Sequence, residues 1–208
     1  MEPETETAHA GGGFNPPRPT DQGGPDYGRF VESVRMVSDH ARGADAPDDV
    51  ITRAADLIEQ ANALLAPYRA DEWHSPSGRR LDLPNRGNVL NVPSNLKVTG
   101  DGRIAGPVRF RRFHLGRNGA AHGGAIGLLF DSLLGHAAYR LTDSPFQRTA
   151  YLHVNYRQIV PVEKDLCASA TLERVEGRKI FITGALLDGD TVLADAEALF
   201  VKLKPGQP

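Results

Sequence analysis

One apolar helical segment, Gly123–Leu141, stands alone among extended runs, and this arrangement most constrains the fold. Before it, Leu96–Phe113 reads as a hairpin with its turn at Thr99–Gly102. Four further extended runs follow the helix: Thr149–Arg157, Leu166–Val175, Lys179–Leu187 and Val192–Leu203. A single apolar helix among antiparallel strands predicts an α+β fold in which the sheet wraps around that helix.

The chain before these elements differs in composition. Residues 1–27 hold five glycines and five prolines with an acidic balance, which predicts a disordered tail because little apolar surface is available for burial. Apolar residues at helical spacing then predict two packing helices, near Tyr27–Ala41 and from Pro47 to Leu65. We therefore expect a helical extension and linker over 28–87 and the main domain over 88–208.

Composition excludes several classes of function. Among 208 residues there are 24 basic and 26 acidic side chains, and this balance argues against a general nucleic-acid binder. A single cysteine excludes a cysteine-rich zinc site, and the scattered histidines fit no familiar metal spacing, so we expect no metal and no cofactor. No apolar run approaches the roughly 18 residues of a membrane span, and no signal or transit peptide is recognisable, so a cytoplasmic location is expected.

The start of the central helix is a candidate binding site. His122, Gly123 and Gly124 open it without a strong Ser, Thr or Asp cap. The first N–H groups of a helix lack internal partners and carry positive partial charge, so they favour a carbonyl oxygen that becomes an oxyanion. The alternative is that two glycines only make a tight turn into the helix.

Asp131 is the candidate catalytic group. It lies within an apolar stretch, where burial of an unpaired carboxylate is costly. Gly127 and Gly135, at i−4 and i+4 on the same face, suggest a groove kept clear for a ligand, because glycine costs about 1 kcal/mol in a helix interior. The alternative is a carboxylate on the solvated stripe of an amphipathic helix. Gly124 and Asp131 lie seven residues apart, roughly 10 Å along a helix, so a site that uses both needs a second copy of the chain.

Four ordered motifs carry a family resemblance. HGGAIGLLFDSLLG (122–135) is followed by TAYLHVNYRQIVP (149–161), LERVEGRKIFITGAL (172–186) and ADAEALFVKLKP (194–205). Over about residues 88–205 the chain resembles acyl-coenzyme A thioesterases of the hotdog superfamily, closest to the long-chain acyl-CoA branch, with the phenylacetate-pathway type as a near relative. The resemblance implies a hotdog fold and a homodimer or dimer of dimers, with the active site at the interface.

The resemblance also implies roles for individual residues. Asp131 falls on the catalytic acid position, as general base for water or as nucleophile, and Thr149 on a hydroxyl position beside it. Gly124, with Gly123 and His122, falls on the helix start that polarises the thioester carbonyl. The remaining matches are positions that bind the coenzyme A portion: Asn155, Arg157, Arg178 and Lys179. Arg157 stands where close relatives have lysine, which keeps the charge but changes the hydrogen-bond geometry.

The strand pattern is compatible with these roles. Strict alternation places Thr149, Asn155 and Arg157 on one face of a strand, although a polar sheet face alone would give the same pattern. Arg178 and Lys179 follow a turn from which long basic side chains can reach phosphates, although a solvated hairpin tip is equally ordinary. The sequence thus predicts an acyl-CoA thioesterase in fatty acid metabolism. The alternative is a non-catalytic hotdog module that binds acyl-CoA or lipid.

Overall fold

The computed structural model describes residues 18–71, 74–144 and 146–204. Three α-helices and six strands are present in these ranges: α1 (Tyr27–Gly43), α2 (Asp48–Leu65), β1 (Lys97–Val98), β2 (Ile104–Arg109), α3 (Gly123–Thr142), β3 (Gln147–Tyr156), β4 (Asp165–Glu176), β5 (Lys179–Asp188) and β6 (Thr191–Lys202). The predicted order of a hairpin, one long helix and four strands is confirmed. Two compact units result, one spanning Pro19–Val89 and the other including Leu90–Pro208.

The second unit is built on one antiparallel sheet with the strand order β1-β2-β4-β5-β6-β3. Helix α3 packs against β3, β4, β5 and β6. This confirms the predicted α+β architecture of a sheet around a single central helix. In the sheet described, β3 has β6 as its neighbour on one side and forms an edge on the other.

The core lies between α3 and the concave face of the sheet. The helix buries one stripe of side chains: Ile126, Leu129, Phe130, Leu133, Leu134, Ala137 and Ala138. Gly184 in β5 allows this close approach, because a Cβ there would lie 2.7 Å from Leu134 Cδ2 and 2.9 Å from the Ser169 backbone oxygen. A larger residue at this position would force the Leu134 side chain and the β4 backbone at Ser169 to shift.

Of the tail predicted over residues 1–27, the structure describes only residues 18–27. Residues 1–17 lie outside the described residues. In the rest of the tail, the backbone oxygens of Gln22 and Gly24 each accept a hydrogen bond of 3.0 Å from the buried guanidinium of Arg80. The composition of residues 1–27 alone cannot predict hydrogen bonds to a residue as distant in the sequence as Arg80. The domain boundaries stay a prediction.

Helix α2 has an apolar stripe but no buried residue. Val50, Leu57 and Leu64 are 49%, 58% and 72% exposed, so the packing role expected for this stripe is not fulfilled within the described chain. In the described ranges no helix combines the length and the apolar character that a membrane crossing requires. The cytoplasmic location stays a prediction.

Candidate active site

The imidazole of His122 caps the start of α3, a role that the sequence pattern did not indicate. His122 is the N-cap residue, and its Nδ1 accepts a hydrogen bond of 2.9 Å from the Gly124 N–H. The His122 backbone oxygen accepts further bonds from the N–H groups of Ala125 and Ile126. The helix start lacks a Ser, Thr or Asp cap, as expected, but the imidazole accepts from the N–H that was predicted to bind the thioester carbonyl. His122 and Gly124 are both exposed, so this bond is accessible from outside.

A residue that the sequence analysis missed holds the same helix start. The Tyr156 hydroxyl, at the end of β3, donates a hydrogen bond of 3.1 Å to the backbone oxygen of Gly123. The ring lies close to Gly123, since a Cβ there would make an ordinary contact of 3.4 Å with Tyr156 Oη. The sequence offered one signal for Tyr156. It alternates with Leu152 and Val154 on the face of β3 toward α3, but such a pattern indicates apolar packing and not a polar contact.

Asp131 lies on the exposed side of α3 in this chain. The expectation that an apolar helix would bury it is therefore wrong for the single chain, and the solvated-stripe alternative describes its surroundings there. Its Oδ1 accepts a hydrogen bond of 3.0 Å from the Thr149 hydroxyl. The two residues predicted to form the acid centre are thus in direct contact.

The two glycines that flank Asp131 have different roles. A Cβ at Gly127 would meet no described heavy atom within 4 Å, so the surface one turn before Asp131 is open. A Cβ at Gly135 would lie 3.5 Å from Phe200 Cε1. Only Gly127 therefore fits the predicted open groove, whereas Gly135 belongs to the packing of α3 on β6.

A β-bulge explains how Thr149 reaches α3. Thr149 pairs with Phe200 but Tyr151 pairs with Leu199, so Ala150 is an extra residue in β3. Because the bulge adds one residue, side chains before it point to the face opposite to the one that unbroken alternation would predict. The prediction that Thr149 shares a face with Asn155 and Arg157 is therefore wrong.

Asn155 and Arg157 are held together by an acidic residue on β6. Asn155 Nδ2 donates to Asp195 Oδ1 at 2.8 Å, and the Arg157 Nε donates to Asp195 Oδ2. The bond from Arg157 and, to a smaller extent, that from Asn155 hold the pKa of Asp195 below its ordinary value of 3.8 despite partial desolvation. The cation of Arg157 is therefore partly neutralised in this chain.

Arg178 and Lys179 lie at the tip of the β4–β5 hairpin, as predicted. The Arg178 Nη1 donates to the Lys202 backbone oxygen at 3.0 Å, and Lys179 pairs with Val201 in the sheet. Both side chains are exposed. In the described ranges, no cluster of three His, Cys, Asp or Glu side chains is arranged to hold a metal ion.

Comparison with known proteins finds one family that the segment holding this site resembles. Residues 118–194 match the family model of the Thioesterase superfamily. A crystal structure of a thioesterase superfamily protein superposes with a TM-score of 0.70 at 26% identity, covering 88% of this chain and 97% of that one. The chain therefore resembles thioesterase superfamily proteins in the segment that holds the candidate residues.

Curated proteins show a similar resemblance. The chain is similar to acyl-coenzyme A thioesterase THEM4 of Rattus norvegicus, with 33% identity over 95 residues, which are 45% of this chain and 40% of that protein. THEM4 of Xenopus laevis is 34% identical over 43% of this chain and 40% of its own length. The chain thus spans about two fifths of the length of these relatives.

The candidate residues form two groups. At the start of β3, Thr149 contacts Asp131, and Lys179 lies two strands away across β6. At the end of β3, Tyr156 contacts the helix start, and the other members of this group are Asn155, Arg157, His122, Gly123 and Gly124. Thr149 and Tyr156 lie seven residues apart along the strand, about 23 Å at 3.3 Å per residue, and Gly124 and Asp131 lie roughly 10 Å apart along the helix. One chain does not bring the two groups together.

Proposed function

We propose that the protein is an acyl-CoA thioesterase that hydrolyses fatty acyl-CoA to the free fatty acid and CoA, which would give it a role in fatty acid metabolism. The observation that carries the proposal is the Thr149–Asp131 hydrogen bond beside the open surface at Gly127. The Thr149 hydroxyl orients the carboxylate of Asp131, and the open helix surface beside it leaves space for a bound thioester that the carboxylate can act on. The similarity to THEM4 supports acyl-CoA as the substrate class.

The proposed reaction adds water to the thioester carbonyl carbon and breaks the C–S bond. Thr149 occupies Oδ1 of Asp131, which leaves Oδ2 to accept a proton from water or to attack the carbonyl carbon. In the first route the proton taken by Asp131 passes to the departing CoA sulfur. In the second route Asp131 displaces the CoA thiolate to form an acyl–Asp131 anhydride, and water then hydrolyses the anhydride to the free acid and the carboxylate, with the released proton taken up by the thiolate.

The Gly124 N–H is the proposed donor to the carbonyl oxygen as it gains negative charge. Its present acceptor, His122 Nδ1, must leave for this to happen. Both residues are exposed, and rotation of one exposed imidazole is a fast and inexpensive motion. Substrate binding thus exchanges one acceptor for another on the same amide.

A homodimer is proposed because each chain supplies the two groups at opposite ends of an edge strand. Antiparallel pairing of β3 with β3 of a second copy, about a twofold axis, sets Thr149 of one copy opposite Tyr156 of the other. Asp131 then approaches the helix start of the other copy, and two equivalent sites result. A dimer of dimers would keep the same sites.

The same pairing suggests how coenzyme A is bound. It brings Arg178 and Lys179 of one copy to the strand end that carries Asn155 and Arg157 of the other. Phosphate groups are then met by cations from both chains. Because Asp195 already neutralises Arg157, we expect the hairpin pair to contribute more to phosphate affinity.

The test is thiol release from acyl-CoA esters of short, medium, long and aromatic acyl groups. We expect turnover with the wild-type protein and a loss of about 10²- to 10⁴-fold in Asp131→Asn, because the amide can neither accept the proton nor attack. Thr149→Val should lower turnover about tenfold, since it removes one hydrogen bond to a charged group. Equal turnover of wild type and Asp131→Asn would overturn the assignment of Asp131.

Mixing two inactive variants tests the shared site. Gly124→Pro lacks the N–H, and proline is accepted in the first turn of a helix. Combined with Asp131→Asn chains, it should restore about a quarter of wild-type activity after random exchange, because half of the dimers each regain one intact site. No recovery in verified mixed dimers would show that each site belongs to one chain.

The alternative is a non-catalytic module that binds acyl-CoA or lipid. The observation that favours it is the imidazole bonded to the Gly124 amide, which leaves the proposed carbonyl site filled. Acyl-CoA that binds to the wild-type protein without any release of thiol would establish this alternative.

A further inference from the structure

The peptide group between Gly123 and Gly124 is hydrogen-bonded at both ends. Its oxygen accepts from the Tyr156 hydroxyl at 3.1 Å, and its N–H donates to His122 Nδ1 at 2.9 Å. Because the described chain contains no cis peptide bond, these two groups point in opposite directions from one rigid plane. The orientation of the N–H is therefore set by what holds the oxygen.

Tyr156 is placed to hold that oxygen. It is the last residue of β3, and its ring lies over Gly123, where a Cβ would come within 3.6 Å of ring atoms Cε1 and Cζ. The position of Tyr156 at the strand end brings its hydroxyl to the helix start. The helix start is thereby tied to the sheet at the peptide that carries the proposed oxyanion donor.

A hydrogen bond to a peptide oxygen also strengthens the donor at the opposite end. Donation to the carbonyl draws electron density from the amide nitrogen, and bonds in such a chain polarise one another. The N–H of Gly124 becomes a better donor to any acceptor, whether an imidazole or an oxyanion. The benefit is largest for the acceptor with the most negative charge.

On the basis of the proposed function, we propose that Tyr156 is a positioning residue, which orients and polarises the Gly123–Gly124 peptide for the oxyanion. It acts through that peptide and does not contact the reacting atoms. Because the charge on the carbonyl oxygen develops in the transition state, the loss of this contact affects kcat more than KM.

The experiment compares Tyr156→Phe with Tyr151→Phe. Tyr151 lies on the same strand, pairs with Leu199 and is 43% exposed, so its hydroxyl serves as the matched control. We expect Tyr156→Phe to lower kcat about two- to tenfold, the range of one net hydrogen bond, with little change in KM. Tyr151→Phe should keep wild-type kinetics.

Amide NMR separates this role from general packing. In Tyr156→Phe the Gly124 proton resonance should move upfield, as its N–H becomes a weaker donor, while resonances of the core strands stay in place. Unchanged kcat together with an unmoved Gly124 resonance would overturn the proposal. An equal loss in both phenylalanine variants would do the same, because it would assign the effect to strand packing.

A fluorotyrosine at position 156 covers the case in which Tyr156→Phe does not fold. Fluorination keeps the ring but makes the phenol a stronger donor, so kcat should rise relative to wild type at a pH where the fluorinated phenol keeps its proton, and an unchanged or lower kcat there would contradict the inference. The two proposals fail differently. A wild-type protein without thiol release contradicts the proposed function, whereas an active wild type that is insensitive at Tyr156 contradicts only this inference.

Discussion

Replacing Gly127 by alanine should make the protein more stable and less active. Gly127 lies in the interior of α3, where alanine is favoured over glycine by about 0.8–1.0 kcal/mol. A Cβ at this position meets no described heavy atom within 4 Å, so no clash opposes the gain. For a chain of this size, about 1 kcal/mol corresponds to a rise in Tm of about 2–4 °C.

The loss of activity follows from the same open space. Gly127 lies one helical turn before Asp131, on the face where the proposed substrate groove runs. A methyl group that intrudes on a bound ligand costs about 1–3 kcal/mol, which lowers kcat/KM at least about fivefold. Thermal unfolding measures the first effect, and thiol release from a long-chain acyl-CoA measures the second.

Gly135→Ala is the matched control. It lies in the same helix, and its Cβ would make an ordinary contact of 3.5 Å with Phe200. We expect a similar gain in stability with wild-type kcat/KM. Wild-type activity in Gly127→Ala would refute the proposal that the substrate groove runs past this position. Activity that recovers at higher protein concentration would instead indicate weakened pairing of two copies, since a blocked groove does not depend on concentration.

Two further outcomes follow from the hydrogen bonds at the site. His122→Ala removes the acceptor that competes for the Gly124 N–H, so KM in the thiol-release assay should fall; a rise in KM or a large fall in kcat would show that the imidazole itself contacts substrate. Because the pKa of Asp195 lies below its ordinary value of 3.8, its bond to Arg157 stabilises the fold above that pH and is lost as the pH falls through the lowered pKa. A carbon-detected titration should therefore find a lower pKa for the Asp195 carboxyl in the wild type than in Arg157→Ala, and equal values would contradict the tie to Arg157.

Long periodic segments made the fold predictable. The apolar stripe of α3 and the alternation in β4, β5 and β6 are each ten or more residues long, so the burial of one face determines the type of element. The tip at Arg178 and Lys179 was also predictable, because the glycine before them marks the turn.

The bulge in β3 was not predictable from the same pattern. Thr149–Arg157 alternates without interruption in sequence, and only pairing with β6 reveals Ala150 as the extra residue. A single inserted residue reverses which face Thr149 occupies, and the energy that selects it comes from the partner strand. For the same reason the cap by His122 was missed: histidine is not a common N-cap residue, and its ring position is set by the loop before the helix.

The placement of Asp131 on the exposed side of α3 strengthens the tests proposed for it. The core depends on one stripe of the helix, represented by Phe130 and Leu133, both fully buried. Gly124, Gly127 and Asp131 lie outside that stripe, so their substitution removes no core contact. A buried carboxylate, as the sequence suggested, would have coupled turnover to folding, because its replacement would also change the free energy of unfolding. Loss of activity in Asp131→Asn without a change in Tm therefore reports on chemistry alone.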